Sequence, residues 1–544
     1  MGAERGREII GRGTWVDKVA KEIIEREERL GRKLDVLRAE MGIGASGIPH
    51  LGSFSDAARA HAVKLALEDL SGRRAEMIAF ADDMDGLRSV PLGMPRELKE
   101  WIGHPVCRIP DPWSCHESFA DHVEHMLMEA MDACGLEYTF VSGHEAYRRG
   151  LLAPQIRTIL TRAEQVGRIV SEVTGSEKYL EALPYFAICE ECGRIYTTRA
   201  YAFDPRTDRV AYRCEGAEIK GRWLEGCGHE GEASIRRDDG KLAWVAGEFA
   251  ARWAALKISF EAYGKDIEAS VISNDRICRE VLGFEPPYHV RYELFLDKSG
   301  RKMSKSVGNI LTPQLWLKYG PPQSLLLLML KRFVGARKVD ITDVPRYTDE
   351  LDKLEQVYFG LIEVRDEFER AKLRGLYEYV WHLRPPKRPM GVYVPYNLLA
   401  YLALIAPRGS EEEYIISSLR AYGLLSKGQP VPDRLLEKIR YAIRWSRDFG
   451  AQLVEKEERV ELSGAEKEAV LELADFLSTE RAGEEVQNAI FEIARTHGLK
   501  PADFFRLLYT ILLGMPRGPR LGPYIARVGC RRVAEALRKA AGAS

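Results

Sequence analysis

The segment Gly42-Ile43-Gly44-Ala45-Ser46-Gly47-Ile48-Pro49-His50-Leu51-Gly52-Ser53 constrains this chain more than any other. It follows a strand-like apolar stretch at 34–41 and precedes a helical pattern over about 55–70. Strand, glycine-rich turn and helix form a phosphate-binding layout. Gly44, Gly47 and Gly52 permit tight turning and close backbone approach, and the helix start is expected to offer free N–H groups and a positive dipole end. His50 adds a donor there. Far downstream, Lys302-Met303-Ser304-Lys305-Ser306 follows Ser299-Gly300 and sets two ammonium groups three residues apart, with hydroxyls at Ser304 and Ser306. Such a loop suits a clamp on charge developing at a leaving pyrophosphate. Each segment supplies what the other lacks for holding a nucleoside triphosphate.

Between the two, strand-like runs at 34–41, 76–80 and 138–141 alternate with helical stretches at 55–70, 118–134 and 151–173. This alternation predicts an α/β core of Rossmann type with a parallel sheet. A stretch dense in Gly, Cys and charge, about 185–237, interrupts it with short β-like pieces at 194–198 and 209–213, after which the sheet is expected to resume at 267–272. From 312 onward nearly every segment reads helical, with Pro385-Pro386, Pro389 and Pro430-Val431-Pro432 as breaks. The expected organisation is a Rossmann-type domain at 1–311, interrupted by the insertion, with helical regions at 312–400 and 401–544.

Four of the nine cysteines, Cys189, Cys192, Cys214 and Cys227, fall within that insertion. Cys189-Glu190-Glu191-Cys192-Gly193 is a CxxC knuckle, and four thiolates satisfy tetrahedral zinc with no open position, which is structural rather than catalytic. His229 is a substitute for one thiolate, and a redox CxxC is the competing reading. Cys107, Cys115, Cys134, Cys278 and Cys530 read as isolated thiols.

Eighty basic residues against eighty-one acidic ones exclude a globally basic nucleic-acid binder. A local patch remains available at 501–544, where eight Arg and Lys face Asp503 and Glu535. The charged start and the absence of an eighteen-residue apolar run predict a cytoplasmic chain without a membrane span.

At these residues the chain resembles a known family. His50-Leu51-Gly52-Ser53 is similar to the HIGH signature, departing at Ser53, and Lys302 to Ser306 matches the KMSKS signature of class I aminoacyl-tRNA synthetases letter for letter. The blocks at 79–91, 109–118 and 264–266 resemble those of the class I lysyl-tRNA synthetases, over roughly 15–360. The resemblance implies activation of L-lysine with ATP and Mg2+, then transfer to tRNA(Lys), with no use for DNA, by a catalytic domain at 1–311, a helical stem-contact or connecting domain at 312–400 and an all-helical anticodon-binding domain at 401–544; a monomer is expected. It implies His50, Lys302 and Lys305 as catalytic residues. ATP would be held by Gly44, Gly47, His50, Gly52, Ser53, Gly264, Asp266, Lys302, Ser304 and Lys305, with Asp266 on the ribose. Trp244 and Tyr292 resemble the aromatic residues of the lysine pocket. Asp82, Asp83 and Asp85 follow a strand at the carboxyl end, where open α/β sheets place ligands, and could meet the lysine ammonium. Of the helical tail, Trp381, Tyr393, Tyr396, Tyr422, Trp445, Phe504, Phe505 and Tyr524 include candidates for stacking on splayed bases. The alternatives are a class I synthetase for another amino acid, a nucleotidyltransferase acting on a small molecule, and a non-charging RNA-binding relative. Lys305→Ala is expected to lower lysine-dependent exchange of pyrophosphate into ATP by about a hundredfold or more while leaving folding intact. An unchanged exchange rate would remove the clamp assignment.

Overall fold

The computed structural model describes residues 8–542 except for 33, 92, 294, 298, 301–310, 333–334, 451–461 and 514–519. Contacts divide the chain into two compact units. The first comprises 1–315, 325–341 and 363–385, and the second 316–324, 342–362 and 386–544.

The first unit is built on five parallel strands, β1 (Leu37–Ile43), β2 (Ala75–Ala81), β3 (Thr139–Ser142), β4 (Phe260–Gly264) and β5 (Tyr288–Tyr292), in the order β5-β4-β1-β2-β3. That is the doubly wound order 3-2-1-4-5, in which chain direction across the sheet reverses between β1 and β4. A crevice must open outside their carboxyl ends. α1 (Trp15–Arg29) packs on α2 (Leu51–Ser71), which covers one face of the sheet. α2 is buried almost all round, and Ala57, Ala58, Ala60, Ala62 and Ala66 let it lie close against the strands.

Two sequence expectations need correction here. The segment 267–272 is not a strand: it opens the helix Glu268–Glu280, whose buried positions Val271, Asn274, Ile277 and Cys278 recur at helical spacing. The strand lies just before it, at Phe260-Glu261-Ala262-Tyr263-Gly264, where burial alternates with period two. The stretch 151–173 is two helices, Ala153–Thr161 and Ala163–Thr174, broken at Arg162, whose guanidinium donates to the Val281 carbonyl at 2.9 Å.

The insertion has its own small β structure. Tyr185–Ala187 pairs antiparallel with Gly240–Leu242 and closes its base. Within it, Thr198–Asp204, Arg209–Cys214 and Glu230–Ser234 form a three-stranded antiparallel sheet, and Gly216–Ile219 with Arg222–Glu225 forms a hairpin. The first β piece therefore begins at Thr198 rather than spanning 194–198, because Cys189 to Gly193 is occupied by a tight knuckle.

All regular elements of the second unit, among the described residues, are helices. Tyr396–Ile405 and Asp433–Phe449 pack together through Leu398, Leu399, Leu402, Ile439 and Ala442. Of the aromatic residues considered for base stacking, Tyr396, Tyr422, Trp445, Phe504 and Tyr524 are core residues with no face for a ligand. A buried ion-pair group lies in the same core. Lys438 Nζ donates to Asp349 Oδ1 at 2.8 Å, Asp352 Oδ2 at 2.6 Å and the Val394 carbonyl at 2.7 Å. Lys438→Met leaves two carboxylates without their cation, and should cost about 3–5 kcal/mol. Urea unfolding followed by circular dichroism checks this; a loss below about 1 kcal/mol would mean that the group relaxes without penalty.

Candidate active site

The crevice at the β1/β4 switch point is a cavity of ≈370 Å3. His50 is the N-cap of α2, and its Nδ1 accepts from the backbone N–H of Gly52 at 2.9 Å and Ser53 at 3.4 Å. An accepting Nδ1 carries no proton, so the neutral imidazole holds its proton on Nε2 and can donate from there. Gly52 is required by this cap: a Cβ at that position would lie 2.6 Å from His50 Cε1. The first-turn donors of α2 are consequently engaged. Leu51 N–H goes to the Leu311 carbonyl at 3.0 Å and Phe54 N–H to the His50 carbonyl at 3.2 Å. The expected free N–H groups at this helix start are thus corrected to one imidazole donor and the helix dipole.

Of the residues read from sequence as ATP-binding, Gly44, His50, Gly52, Ser53, Gly264 and Asp266 line the cavity, and Gly47 does not. Lys302, Ser304 and Lys305 lie outside the described residues. Among the five lysine-pocket residues, Asp82, Trp244 and Tyr292 line it. Asp83 faces β3 instead, accepting from Ser142 Oγ and from the backbone N–H of His144 at 2.6 Å. Asp85 pairs with the buried Lys241, which also meets Glu248 at 2.7 Å. Tyr292 is engaged on one face: the Arg59 guanidinium carbon stands 4.2 Å from its ring centroid.

The electrostatic centre of the site is a group that sequence reading missed. Strand register sets Glu40 of β1 beside Glu261 of β4. Arg252, from the helix Glu248–Leu256, pairs with Glu40, with Asp82 at 3.2 Å and with Glu261 at 3.3 Å, and its guanidinium carbon stands 4.7 Å from the ring centroid of Phe80 and 5.1 Å from that of Phe249. Three carboxylates share one cation out of water. Burial pushes Asp82 up to about 6, against the opposing pull of Arg252 and Lys241, and burial drives Glu40 well above the ordinary carboxylate range. Asp56, two helical turns from His50 on the cavity wall, is raised by burial to about 7 although Tyr292 donates to it and Arg59 is near. The available signal was a lone acidic residue inside each apolar strand, Glu40 and Glu261, since such positions are rarely charged without a partner.

Two clusters have the composition of metal sites. The sulfurs of Cys189, Cys192, Cys214 and Cys227 lie within 4.8 Å of one another, Cys189 being 3.5 Å from Cys227 and Cys192 3.8 Å from Cys214. A tetrahedron of thiolates on zinc has edges of roughly 3.8 Å, so the set fits. Both knuckles turn through glycines with positive φ, Gly193 and Gly228. His229 stands aside, 2.7 Å from Glu190.

The second cluster corrects the reading of Cys115 as an isolated thiol. Asp111, Cys115, His116 and His122 bring four ligand atoms within 4.8 Å. Cys115 Sγ is 3.2 Å from Asp111 Oδ2, from His116 Nδ1 and from His122 Nδ1. Burial opposes ionisation of Asp111, but the N–H groups of Trp113, Cys115 and His116 outweigh it and hold the carboxyl down at about 2. The four donors come from a loop and from the first turn of α3 (Phe119–Ala133), a proximity that sequence spacing alone does not display.

A family model described as tRNA synthetases class I (K) matches residues 13–383. A lysine--tRNA ligase of Cenarchaeum symbiosum is 46% identical over 532 residues, covering 98% of this chain and 99% of that protein. A lysine--tRNA ligase of Rickettsia bellii (strain OSU 85-389) is 30% identical over 529 residues, covering 95% of each. Among solved structures, a Mycobacterium tuberculosis methionyl-tRNA synthetase in complex with methionyl-adenylate aligns over 75% of this chain and 93% of its own, at 13% identity and a TM-score of 0.36. Matched by the family model over most of its length and by relatives over nearly all of it, this chain belongs to the class I (K) tRNA synthetases.

Proposed function

We propose that this protein activates L-lysine with ATP and transfers it to the 3′-terminal ribose of tRNA(Lys). The observation that carries the amino-acid choice is the group of three buried carboxylates, Glu40, Asp82 and Glu261, gathered around the guanidinium of Arg252, with Asp82 and Glu261 lining the switch-point cavity. A second cation relieves that excess, and an anionic side chain such as glutamate would aggravate it. The relatives of 46% and 30% identity, both lysine--tRNA ligases, support the same choice.

In this reading ATP lies along the β1–α2 loop, with its ribose toward Asp266 and its phosphates at His50 Nε2, accompanied by Mg2+. The lysine carboxylate oxygen attacks the α-phosphorus, and the bond to the bridging oxygen breaks with its electron pair going to pyrophosphate. Lys302 and Lys305 neutralise that charge. A ribose hydroxyl of tRNA then attacks the lysyl carbonyl, loses its proton and displaces AMP. The lysine ammonium lies toward Asp82 and Glu261, with Trp244 and Phe249 as apolar walls. The helical unit, assigned here to the distant part of the tRNA, contributes to recognition rather than chemistry. Zinc on the four cysteines would stiffen the insertion, and zinc on Asp111, Cys115, His116 and His122 would tie the 111–118 loop to α3. Neither takes part in a chemical step.

Lysine-dependent exchange of labelled pyrophosphate into ATP tests the reading, with glutamate, arginine and cysteine as controls. Response to another amino acid instead would end the lysine assignment. A carboxylate raised to about 6 is ionised above that pH and protonated below it, so it attracts an ammonium only at the higher pH. The KM for lysine should therefore climb as pH falls from 8 toward 5.5, and Asp82→Asn should raise KM about tenfold at pH 8 and flatten this dependence. Elemental analysis of protein purified without chelator should give two zinc ions per chain, and one after Cys115→Ala with His122→Ala. A single zinc in the unmodified protein would remove the second site.

A further inference from the structure

The strand β5 sorts its side chains by alternation, and the sorting separates Tyr292 from the carboxylates around Arg252. His289 Nε2 is 2.9 Å from Asp275 of the helix Glu268–Glu280, its ring centroid is 5.0 Å from that of Trp253, and Trp253 donates its indole N–H to Glu261. His289 and Glu261 are register partners, so both point to the face covered by the helices Glu248–Leu256 and Glu268–Glu280. Tyr288 and Tyr292 point to the other face. The first donates to Glu22 of α1, and the second meets Asp56 and Arg59 of α2. Tyr292 is also the register partner of Gly264, two residues before Asp266. Its ring therefore stands beside α2 and the residue proposed to hold the ribose, across the sheet from the carboxylates proposed to hold the lysine ammonium.

The ring is held from behind. Arg59 Cζ stands 4.2 Å from its centroid, Arg59 also donates to Ser55 Oγ at 2.6 Å, and the Tyr292 hydroxyl donates to Asp56. Arg59 Nε and Asp56 Oδ1 are buried without a hydrogen-bond partner, so turning the ring would strip two costly groups of the contact that covers them. Phe295, three residues on, lines the same cavity and has Arg337 Cζ 4.9 Å from its centroid. Neither arginine lines the cavity, so each guanidinium backs a ring whose other side is presented there. A ring with a guanidinium on one face is a poor place for an ammonium on the other, because the two cations repel and compete for the same π electrons. A neutral nucleobase meets no such opposition and gains by stacking.

With the phosphates at His50 and the ribose toward Asp266, this corner of the cavity is left to the base. We propose that Tyr292, with Phe295 beside it, is the stacking platform for the adenine of ATP, and that Asp56 and Arg59 are positioning residues that fix its ring. The inference rests on the proposed function for its nucleotide. It moves Tyr292 from the amino-acid pocket, where the family resemblance put it, to the nucleotide.

Full-length Tyr292→Leu tests it, with Tyr292→Phe as the conservative control and Arg59→Met for the positioning role. Calorimetric binding of adenosine 5′-monophosphate and of ribose 5-phosphate separates the base from the rest of the nucleotide and needs no amino acid. The parent should hold the first about tenfold more tightly than the second, or better. In Tyr292→Leu this advantage should shrink to about threefold or less, while ribose 5-phosphate binding stays within about twofold of the parent, which also reports an intact fold. Tyr292→Phe, which keeps the ring, should keep most of the advantage. Arg59→Met should weaken adenosine 5′-monophosphate about threefold in the parent and not at all when added to Tyr292→Leu, because Arg59 acts through the ring. In lysine-dependent pyrophosphate exchange, Tyr292→Leu should raise KM for ATP about tenfold and leave KM for lysine, measured at saturating ATP, within about twofold. Equal binding of the two probes by the parent, equal loss of both in Tyr292→Leu, or a raised KM for lysine with that for ATP unchanged would overturn the platform. A parent that shows the advantage of the base but exchanges no pyrophosphate with lysine would support the platform and overturn the lysine reading instead.

Discussion

The site depends on Arg252. Parallel pairing of β1 with β4 is obligatory for the doubly wound sheet, and its register sets Glu40 beside Glu261 on neighbouring strands. Two adjacent carboxylates, fully or nearly buried, repel and have lost their hydration, so the sheet could not close with both ionised and unaccompanied. Arg252 reaches both from the helix Glu248–Leu256 and also ties down Asp82 at the end of β2. One guanidinium therefore joins three strands at the point where the crevice opens. The rings of Phe80 and Phe249 add cation–π contacts to the same guanidinium. The same arrangement that holds the strands together leaves an acidic excess, and that excess is what the cavity presents to a ligand.

The structure's two ion-pair groups around the crevice are continuous. Asp82 pairs with Arg252, while Asp85, three residues on, pairs with Lys241 on the strand that closes the insertion. A movement of the insertion would therefore be felt at the Asp82 end of the cavity through a turn of four residues. Trp244 lines both the cavity at the switch point and a neighbouring cavity of ≈470 Å3 that the insertion helps to form.

What could be read from the sequence was chemistry carried by adjacent residues. The β1–α2 turn, the parallel core, the convergence of the four insertion cysteines and the helical tail each have a local signature: glycine spacing, alternation of strand and helix patterns, CxxC, or a change of period. What could not be read depends on residues distant in the chain. Glu40 and Glu261 meet only because β4 lies next to β1, and spacing does not specify that neighbour. Asp82, Asp83 and Asp85 occupy one short window yet point to three places, a cation in the core, the β3 turn and the insertion. Cys115 looked solitary because its partners include His122, on the next helix. The misplaced strand at 267–272 has a similar origin: Ile267, Val271 and Ile272 suit either period, and only the buried Asn274, Ile277 and Cys278 beyond the window decide for a helix.

A triphosphate entering this cavity meets an unusual setting. Among the described residues, the lining holds Asp56, Asp82, Glu261 and Asp266 against the single guanidinium of Arg252, which is already committed to carboxylates. The helix start contributes its dipole and the His50 donor, but its first-turn N–H groups are engaged by His50 and Leu311. In the proposed reaction the positive charge that a nucleotide needs would arrive with the reactants or from outside the described lining: Mg2+ with ATP, an ammonium on the amino acid, and the two lysines of the 302–306 segment. In the proposed reaction this makes the acidic wall a selective device rather than a defect. ATP alone is poorly accommodated, and a cationic amino acid improves the site for the nucleotide as the nucleotide does for the amino acid, so each should tighten the binding of the other. Reciprocal coupling of this kind ties occupancy of the site to the pair of substrates that can react, which disfavours retention of ATP without lysine.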